Sequence, residues 1–445
     1  MTLLGSFRAH FETRARDARA SLYAAARSDA ERYAAQLGLL NAAWQETAAA
    51  IPYFARLRER GALPARFESL GEFAARVPPM TRASLQRDLG LLTHPRRKPD
   101  RMRITGGSTA EPVQIPAWSS EFAFTKSDMW QARHWYGIEP AARLFLLWGH
   151  SHLLGHGLAG RLAALQRRAS DQLLGYRRFS AYDLSPAALV RAADELLRFR
   201  PDYLIGYSVA LDLFARANAE RRDALRAVGV KLVLAAAEGF PAPDSEARLA
   251  DLFGCPVGME YGAVETNLVA HTQPEGGYRV FWRSYLVEAE RSGAHHRLRV
   301  TSLYPRCVPL VRYELGDEIE PWDAGAEQLP SVLSFRRVIG RCNDFVLLAD
   351  GTPAHSELFT HCVRSCASIR SYQVIQEGER IRLCYEAARE LEPEEESGIR
   401  ERLGRIHGEL ARIPIARVPE LERTIAGKTP MVIRRPAAAA SPPRV

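Results

Sequence analysis

Five short segments carry residue types that could do chemistry. The first is Ile104-Thr105-Gly106-Gly107-Ser108-Thr109-Ala110-Glu111-Pro112. Small residues let backbone N–H groups approach an anion closely, and hydroxyls add donors to phosphate oxygens. It lacks the Gly-Lys-Ser/Thr ending of a Walker loop, and taken alone it is as readily an ordinary turn. The second, Tyr261-Gly262-Ala263-Val264-Glu265, follows a predicted strand. A carboxylate at the carboxyl end of a parallel strand is well placed for a metal or ligand, although a lone loop glutamate is usually solvated. The others are Pro309-Leu310-Val311-Arg312-Tyr313-Glu314-Leu315-Gly316-Asp317, Gly340-Arg341-Cys342-Asn343-Asp344 and Gly427-Lys428-Thr429-Pro430. By themselves these read as two turns and an exposed loop lysine.

The elements that must position them follow from periodicity and punctuation. Residues 5–50 read as helix, with no Pro or Gly between positions 6 and 37, and Ile51-Pro52 ends it. Residues 52–92 read as short helices punctuated by Gly61, Pro64, Pro78 and Pro79. Strand and helix then alternate: strand 144–148, helix 185–199 with Ser185 as N-cap and Pro186 in its first turn, strand 203–205, helix 210–226, strand 231–236, helix 244–253 and strand 257–261. That alternation predicts parallel α/β layers. From 278 to 319 longer strands with polar alternation point to an antiparallel or mixed sheet. Composition breaks near Gly340. Beyond it, strands at 344–348 and 381–385 and a charged helix at 393–410, with Glu394, Glu395 and Glu396 at its dipole-favoured start, predict a small α+β domain. The expected class is therefore α/β: a large multilayer α/β domain over 1–339, opening with a helical entry segment at 1–100, then a small α+β domain over 340–435. Residues 436–445 read as a disordered tail.

The chain has 445 residues, 47% hydrophobic and 25% charged, which excludes disorder, collagen and coiled coil as its main state. Its longest apolar runs, such as 144–148, fall far short of the ~18 residues that span a bilayer. The first twenty residues mix Arg8, Arg14, Arg16 and Arg19 with Glu12 and Asp17, so no secretory leader is expected and the setting reads as cytoplasmic. Six scattered cysteines make no disulfide framework, and Cys362 and Cys366 look like one face of a helix. The net charge of +8 is interleaved with acids. Its densest cluster, Arg96, Arg97, Lys98, Arg101 and Arg103, reads as a solvated face, so neither nucleic acid nor a membrane is an expected partner. Only four of the 60 basic residues are lysine: Lys98, Lys126, Lys231 and Lys428. A lysine kept in a defined loop of so arginine-rich a chain is a candidate point charge.

In order and spacing, the five segments resemble the adenylate-forming superfamily, within it the branch of the phenylacetate–CoA ligases and their capsule-biosynthesis relatives. The likeness extends to the entry pieces Ile51-Pro52-Tyr53-Phe54 and Val77-Pro78-Pro79-Met80-Thr81-Arg82, to Arg200-Pro201-Asp202 with Gly206-Tyr207, and to Ala236-Ala237-Glu238. The resemblance implies that ATP and a carboxylate give an acyl-adenylate and pyrophosphate, and that the acyl group then passes to a thiol. It places Lys428 and Arg341 at the reacting phosphate, and Thr105, Gly107, Ser108 and Thr109 at the pyrophosphate end. Ala237, Glu238, Tyr261 and Gly262 fall on the nucleotide side, Asp317 on the ribose hydroxyls and Glu265 on Mg²⁺. Asp344 becomes the hinge of a mobile small domain. Tyr207, Ala236, Ala263 and His150 are candidates for the acyl pocket. For His150, with its neighbours His152 and His156, ordinary loop histidines are the alternative.

Departures from the pattern are visible. Ala110 stands where Gly is usual, Glu111 where Lys is common, and Val264 where a hydroxyl is usual. Residues 266–271 hold no cysteine, so no structural zinc is expected. The expected function is ATP- and Mg²⁺-dependent activation of an aromatic or hydrophobic acid with transfer to coenzyme A. The alternatives are transfer to the phosphopantetheine of an acyl carrier protein or to an amine or hydroxyl, and a degenerate, non-catalytic member. A carrier protein and a second copy of the chain are the macromolecular partners left open.

Overall fold

The computed structural model of the chain describes residues 3–104, 114–148, 157–181, 184–236, 239–240, 244–292, 295–323, 325–339, 345–363, 366, 368–422 and 431–435. Two helices, α1 (Leu3–Ala24) and α2 (Asp29–Ala50), replace the single helix expected over 5–50. The break needs neither Pro nor Gly. The Ser28 side chain accepts from the Glu31 N–H while the Glu31 carboxylate reaches back to the Ser28 N–H, a capping box that starts a new helix. Ile51 then caps α2, and Pro52 opens α3 (Pro52–Glu59), followed by α4 (Leu70–Arg76), α5 (Arg82–Arg87) and α6 (Leu89–Leu92).

A two-stranded antiparallel ribbon, β1 (Arg101–Ile104) and β2 (Gln114–Ala117), brings Ile104 opposite Gln114. Helix α7 (Glu121–Trp135) follows, and its buried Asp128 accepts from Arg19 at 2.7 Å, from Tyr23 at 3.0 Å and from Ser284. That carboxylate ties α1 to the body of the molecule.

The alternation is then observed: β3 (Leu144–Trp148), α8 (Gly157–Leu174), β4 (Tyr176–Ser180), α9 (Pro186–Phe199), β5 (Tyr203–Tyr207), α10 (Ser208–Ala217), α11 (Arg222–Arg226), β6 (Leu232–Ala236), α12 (Ser245–Phe253) and β7 (Val257–Ala263). Ser185 caps α9 and Pro186 is its first residue, as the sequence predicts. The helix expected over 210–226 is divided at Asn218, whose side-chain amide donates to the Leu189 and Phe214 carbonyls. Strands β4, β3, β5, β6 and β7 are neighbours and parallel. Side chains alternate between two cores. Phe145, Leu204 and Val233 pack with α9, α10 and α12, whereas Leu144, Tyr203 and Leu232 pack with Trp130 of α7. β3, β5 and β6, buried on both faces, read as continuous apolar runs, which is why they are visible in sequence; α8 and the half-buried β4, with Arg177 and Arg178, were not expected.

At β7 the sheet changes sense. β8 (Asn267–Thr272), β9 (Tyr278–Val280), β10 (Tyr285–Ser292), β11 (His295–Ser302), β12 (Tyr313–Pro321), β13 (Gln328–Leu329) and β14 (Ser334–Ile339) pair antiparallel, completing twelve strands in the order β13-β10-β11-β12-β14-β9-β8-β7-β6-β5-β3-β4. The rest of the chain has its own hydrophobic cluster, from Val346 to Val432. It contains the pair β15 (Phe345–Leu347) and β16 (Pro353–His355), then α13 (Ser356–Val363), β17 (Ile369–Glu377), β18 (Arg380–Ala387), α14 (Pro393–Ile406), β19 (Ile415–Arg417) and β20 (Val432–Arg435). Cys362 and Cys366 are buried in that cluster. Its four-stranded sheet runs β19-β18-β17-β20. Gln373 of β17 exchanges hydrogen bonds with the backbone of Glu422, and the next residue, Val374, donates to the Met431 carbonyl at 2.7 Å. No described helix is long and apolar enough to cross a membrane.

Because the capping box alone starts α2, Ser28→Ala should lower stability by about 1 kcal/mol in urea unfolding. An unchanged midpoint would deny the cap that role.

Candidate active site

Three adjacent parallel strands end in large or small side chains along one edge. β3 ends in Trp148, β5 in Tyr207 and β6 in Ala236. The Trp148 and Tyr207 rings lie 4.2 Å apart at 30°, an aromatic slab beside the smaller Ala236. Ligands of α/β sheets bind outside the carboxyl ends of the strands, and this is that edge. β7 runs on to Ala263, half-buried at its end, so the Tyr-Gly-Ala-Val-Glu segment leaves from the same side.

Tyr261 donates from its hydroxyl to Asp317 Oδ2 at 3.0 Å, joining β7 to β12. Its ring is buried edge-on against Phe335 and Tyr278. The backbone then reverses so tightly that a Cβ on Gly262 would sit 2.0 Å from the Asn267 carbonyl oxygen. No side chain fits there. The Ala263 N–H donates to Thr266 Oγ1 at 3.0 Å, Thr266 Oγ1 donates to the Asn267 carbonyl at 2.8 Å, and Asn267 adopts a left-handed φ of 63°. Val264, in place of a hydroxyl residue, is 42% exposed at the tip.

Glu265 is only 6% exposed. Among the described residues its carboxylate meets the Tyr313 hydroxyl at 3.3 Å and Arg82 at 3.9 Å. Both come from motifs read separately in the sequence. The segment 77–82 lies against the start of β12: the Met80 N–H donates to the Arg312 carbonyl at 3.0 Å, and the Glu314 N–H donates to the Met80 carbonyl at 2.9 Å. Arg312, at a left-handed φ of 49°, donates to the Val77 carbonyl and forms a buried pair with Glu288 at 2.9 Å. Burial raises Glu288 above the usual carboxylate value even with Arg312 opposing it.

Thus Glu265, Tyr313 and Arg82 meet, Asp317 is joined to Tyr261, and Tyr207, Ala236 and Ala263 end parallel strands. Thr105, Gly107, Ser108, Thr109, His150, Ala237, Glu238, Arg341, Asp344 and Lys428 lie outside the described residues. Four positions escaped sequence reasoning. Arg82 had no role of its own, and Arg103, Glu121 and Arg306 form a buried charge cluster behind Glu265. Arg103 corrects the reading of 96–103 as a wholly solvated face. Its guanidinium is largely buried against Glu121 at 3.0 Å and Asn267 at 2.9 Å, and burial and the Arg306 charge lower its pKa. No described group of three or more His, Cys, Asp or Glu side chains could hold a metal ion. A lone carboxylate still suits Mg²⁺ bound largely through substrate phosphates, because that ion keeps several waters and takes only one or two protein carboxylates.

Gly262→Ala should cost about 1–3 kcal/mol or more, since the added methyl meets backbone rather than a movable side chain. Denaturant unfolding checks this, and a wild-type midpoint would contradict the turn geometry.

No protein-family model matches the chain. Protein CapK of Staphylococcus aureus is 26% identical over 181 residues, covering 38% of this chain and 37% of that protein, so the chain matches little more than a third of its curated relative. Among solved structures, 2-hydroxyisobutyryl-CoA ligase in complex with 2-HIB-AMP and CoA in the thioesterification state aligns with a TM-score of 0.57 at 18% identity, over 92% of this chain and 91% of that one. An open conformation of the same ligase, also with 2-HIB-AMP and CoA, aligns at 0.53 and 19%, over 91% and 92%. The shared fold runs almost end to end, and this chain therefore has the fold of the adenylate-forming acyl-CoA ligases.

Proposed function

We propose that the protein activates a carboxylic acid with ATP, forming an acyl-adenylate and pyrophosphate, and then transfers the acyl group to a thiol. The proposed acid is aromatic or hydrophobic, the proposed thiol is coenzyme A, and the proposed branch is that of the phenylacetate–CoA ligases. One observation carries the reading. Glu265, Asp317 and their partners, from segments spread over residues 82–317, come together beside the carboxyl edge of a parallel sheet in this fold.

A carboxylate is a poor electrophile because its leaving group would be oxide, and joining it to AMP supplies a good one. Charge builds on the α-phosphate in the transition state, so cations and donors must be aimed there. In this reading Asp317, oriented by the Tyr261 hydroxyl, accepts the two ribose hydroxyls. Glu265 holds Mg²⁺, which neutralises phosphate charge when bound. Thr105, Ser108 and Thr109 hold the pyrophosphate end, Arg341 assists at the ribose or phosphate, and Lys428 supplies a point charge that a planar guanidinium would not match. Trp148 and Tyr207 offer an apolar wall for the acid beside Ala236. The part from 340 to 435 is proposed as a separate domain that turns about Asp344 between half-reactions.

A pyrophosphate-exchange screen over a panel of carboxylic acids tests the reading. Exchange with one acid class is the expected result. Stabilisation by Mg²⁺ and ATP, with no exchange for any acid, would favour a non-catalytic member, which the exposed Val264 would suit. No stabilisation and no exchange would refute it. Lys428→Ala should reduce acyl-adenylate formation by ~10²–10⁴-fold with little change in ATP affinity, and it should spare thioester formation from a preformed acyl-adenylate. Adenylation within ~3-fold of wild type would remove Lys428 from that role.

A further inference from the structure

Three successive carbonyls of the turn that carries Glu265 accept from side chains behind it. The Val264 carbonyl lies 3.5 Å from an Arg103 Nη, the Glu265 carbonyl accepts from Arg306, and the Thr266 carbonyl accepts from the Tyr285 hydroxyl. These donors form one system. Tyr285 and Tyr304 share a hydrogen bond of 2.8 Å, and Arg306 donates to the Tyr304 hydroxyl at 3.3 Å. Arg306 and Arg103 have a common counter-ion, Glu121, at 3.6 and 3.0 Å. Glu121 is 1% exposed at the first residue of α7, and it also accepts from the Trp118 and Cys307 N–H groups at 2.9 Å each. Arg306 is equally enclosed, with a side chain 1% exposed.

A fully buried arginine such as Arg306 is costly to desolvate, and its carboxylate partner Glu121 is shared with the partly buried Arg103. Apolar residues would pack the same space without that penalty. What arginine adds is directed N–H donors on fixed carbonyls, and these set the backbone that aims the Glu265 side chain. We propose that Arg306, seconded by Arg103 and balanced by Glu121, is a positioning residue for Glu265, orienting its carboxylate toward the cation that accompanies ATP. This inference rests on the reading of Glu265 given above. Arg306 touches neither nucleotide nor metal in it; its influence passes through the Glu265 peptide. Second-layer partners of this kind typically change metal affinity by about 10–100-fold.

Equilibrium dialysis of ATP against the full chain, with and without Mg²⁺, tests it. Arg306→Met should weaken Mg²⁺·ATP binding about tenfold, while changing metal-free ATP binding by less than about threefold. The fold should persist, because Glu121 keeps Arg103 and two backbone donors; if Arg306→Met does not fold, Arg306→Gln carries the same measurements. Arg306→Lys, which restores a cationic donor, should recover binding to within about threefold of wild type, a rescue that lost packing alone would not give. In combination with Glu265→Gln, Arg306→Met should add little further loss, since both act at one carboxylate. Additive losses, no loss with Arg306→Met, or no recovery with Arg306→Lys would overturn the positioning role and leave the cation role of Glu265 standing. Unchanged Mg²⁺·ATP binding in Glu265→Gln alone would instead refute that cation role, and the inference with it.

Discussion

The molecule depends on what happens at the end of β7. This strand pairs parallel with β6 on one side and antiparallel with β8 on the other, so the sheet changes character across a single backbone. The chain must then double back within a few residues, at a closeness only Gly262 permits. The reversal gives β8 its direction, and with it the antiparallel half of the sheet. It also lifts Glu265 out of the strand and into a buried position facing β12. A looser turn would satisfy the pairing of β8 but would leave the carboxylate in water.

A second constraint comes from the far side. The segment 77–82 has no regular structure of its own until α5, yet it is held against β12 by backbone bonds at Met80 and by Arg312. The Arg312–Glu288 pair is buried on both sides. Removing one partner of such a pair typically costs about 3–5 kcal/mol, because the other is left charged and unpaired. With Met80 opposite Tyr313, Arg312 reaches Val77 and Arg82 comes to Glu265. Asp317 lies farther along the same strand, so one register sets the surroundings of both acids.

Much of this was legible in the sequence, for identifiable reasons. Strands β3, β5 and β6 announce themselves as apolar runs because both faces are covered, and α9 because a serine cap and a proline mark its start. The division of α1 from α2 was missed since Ser28 and Glu31 break a helix through side chains rather than through Pro or Gly. Asn218 hid its break in the same way. At the candidate site, Glu265 and Asp317 were singled out through motif order. Glu121, Arg103 and Arg306 were not, because charged residues in an arginine-rich chain look solvated until distant segments enclose them. Arg306 did carry a weak signal. It is the one charged residue between Val300 and Arg312, in a stretch otherwise apolar or uncharged.

The four-stranded sheet of the last part of the chain bears on how that region holds together. Its final strand, β20, lies beside β17, and neighbouring residues of β17 grip Glu422 and Met431. Glu422 and Met431 are thus anchored side by side on one strand. Whatever shifts β17 therefore carries Glu422 and Met431 with it as a pair.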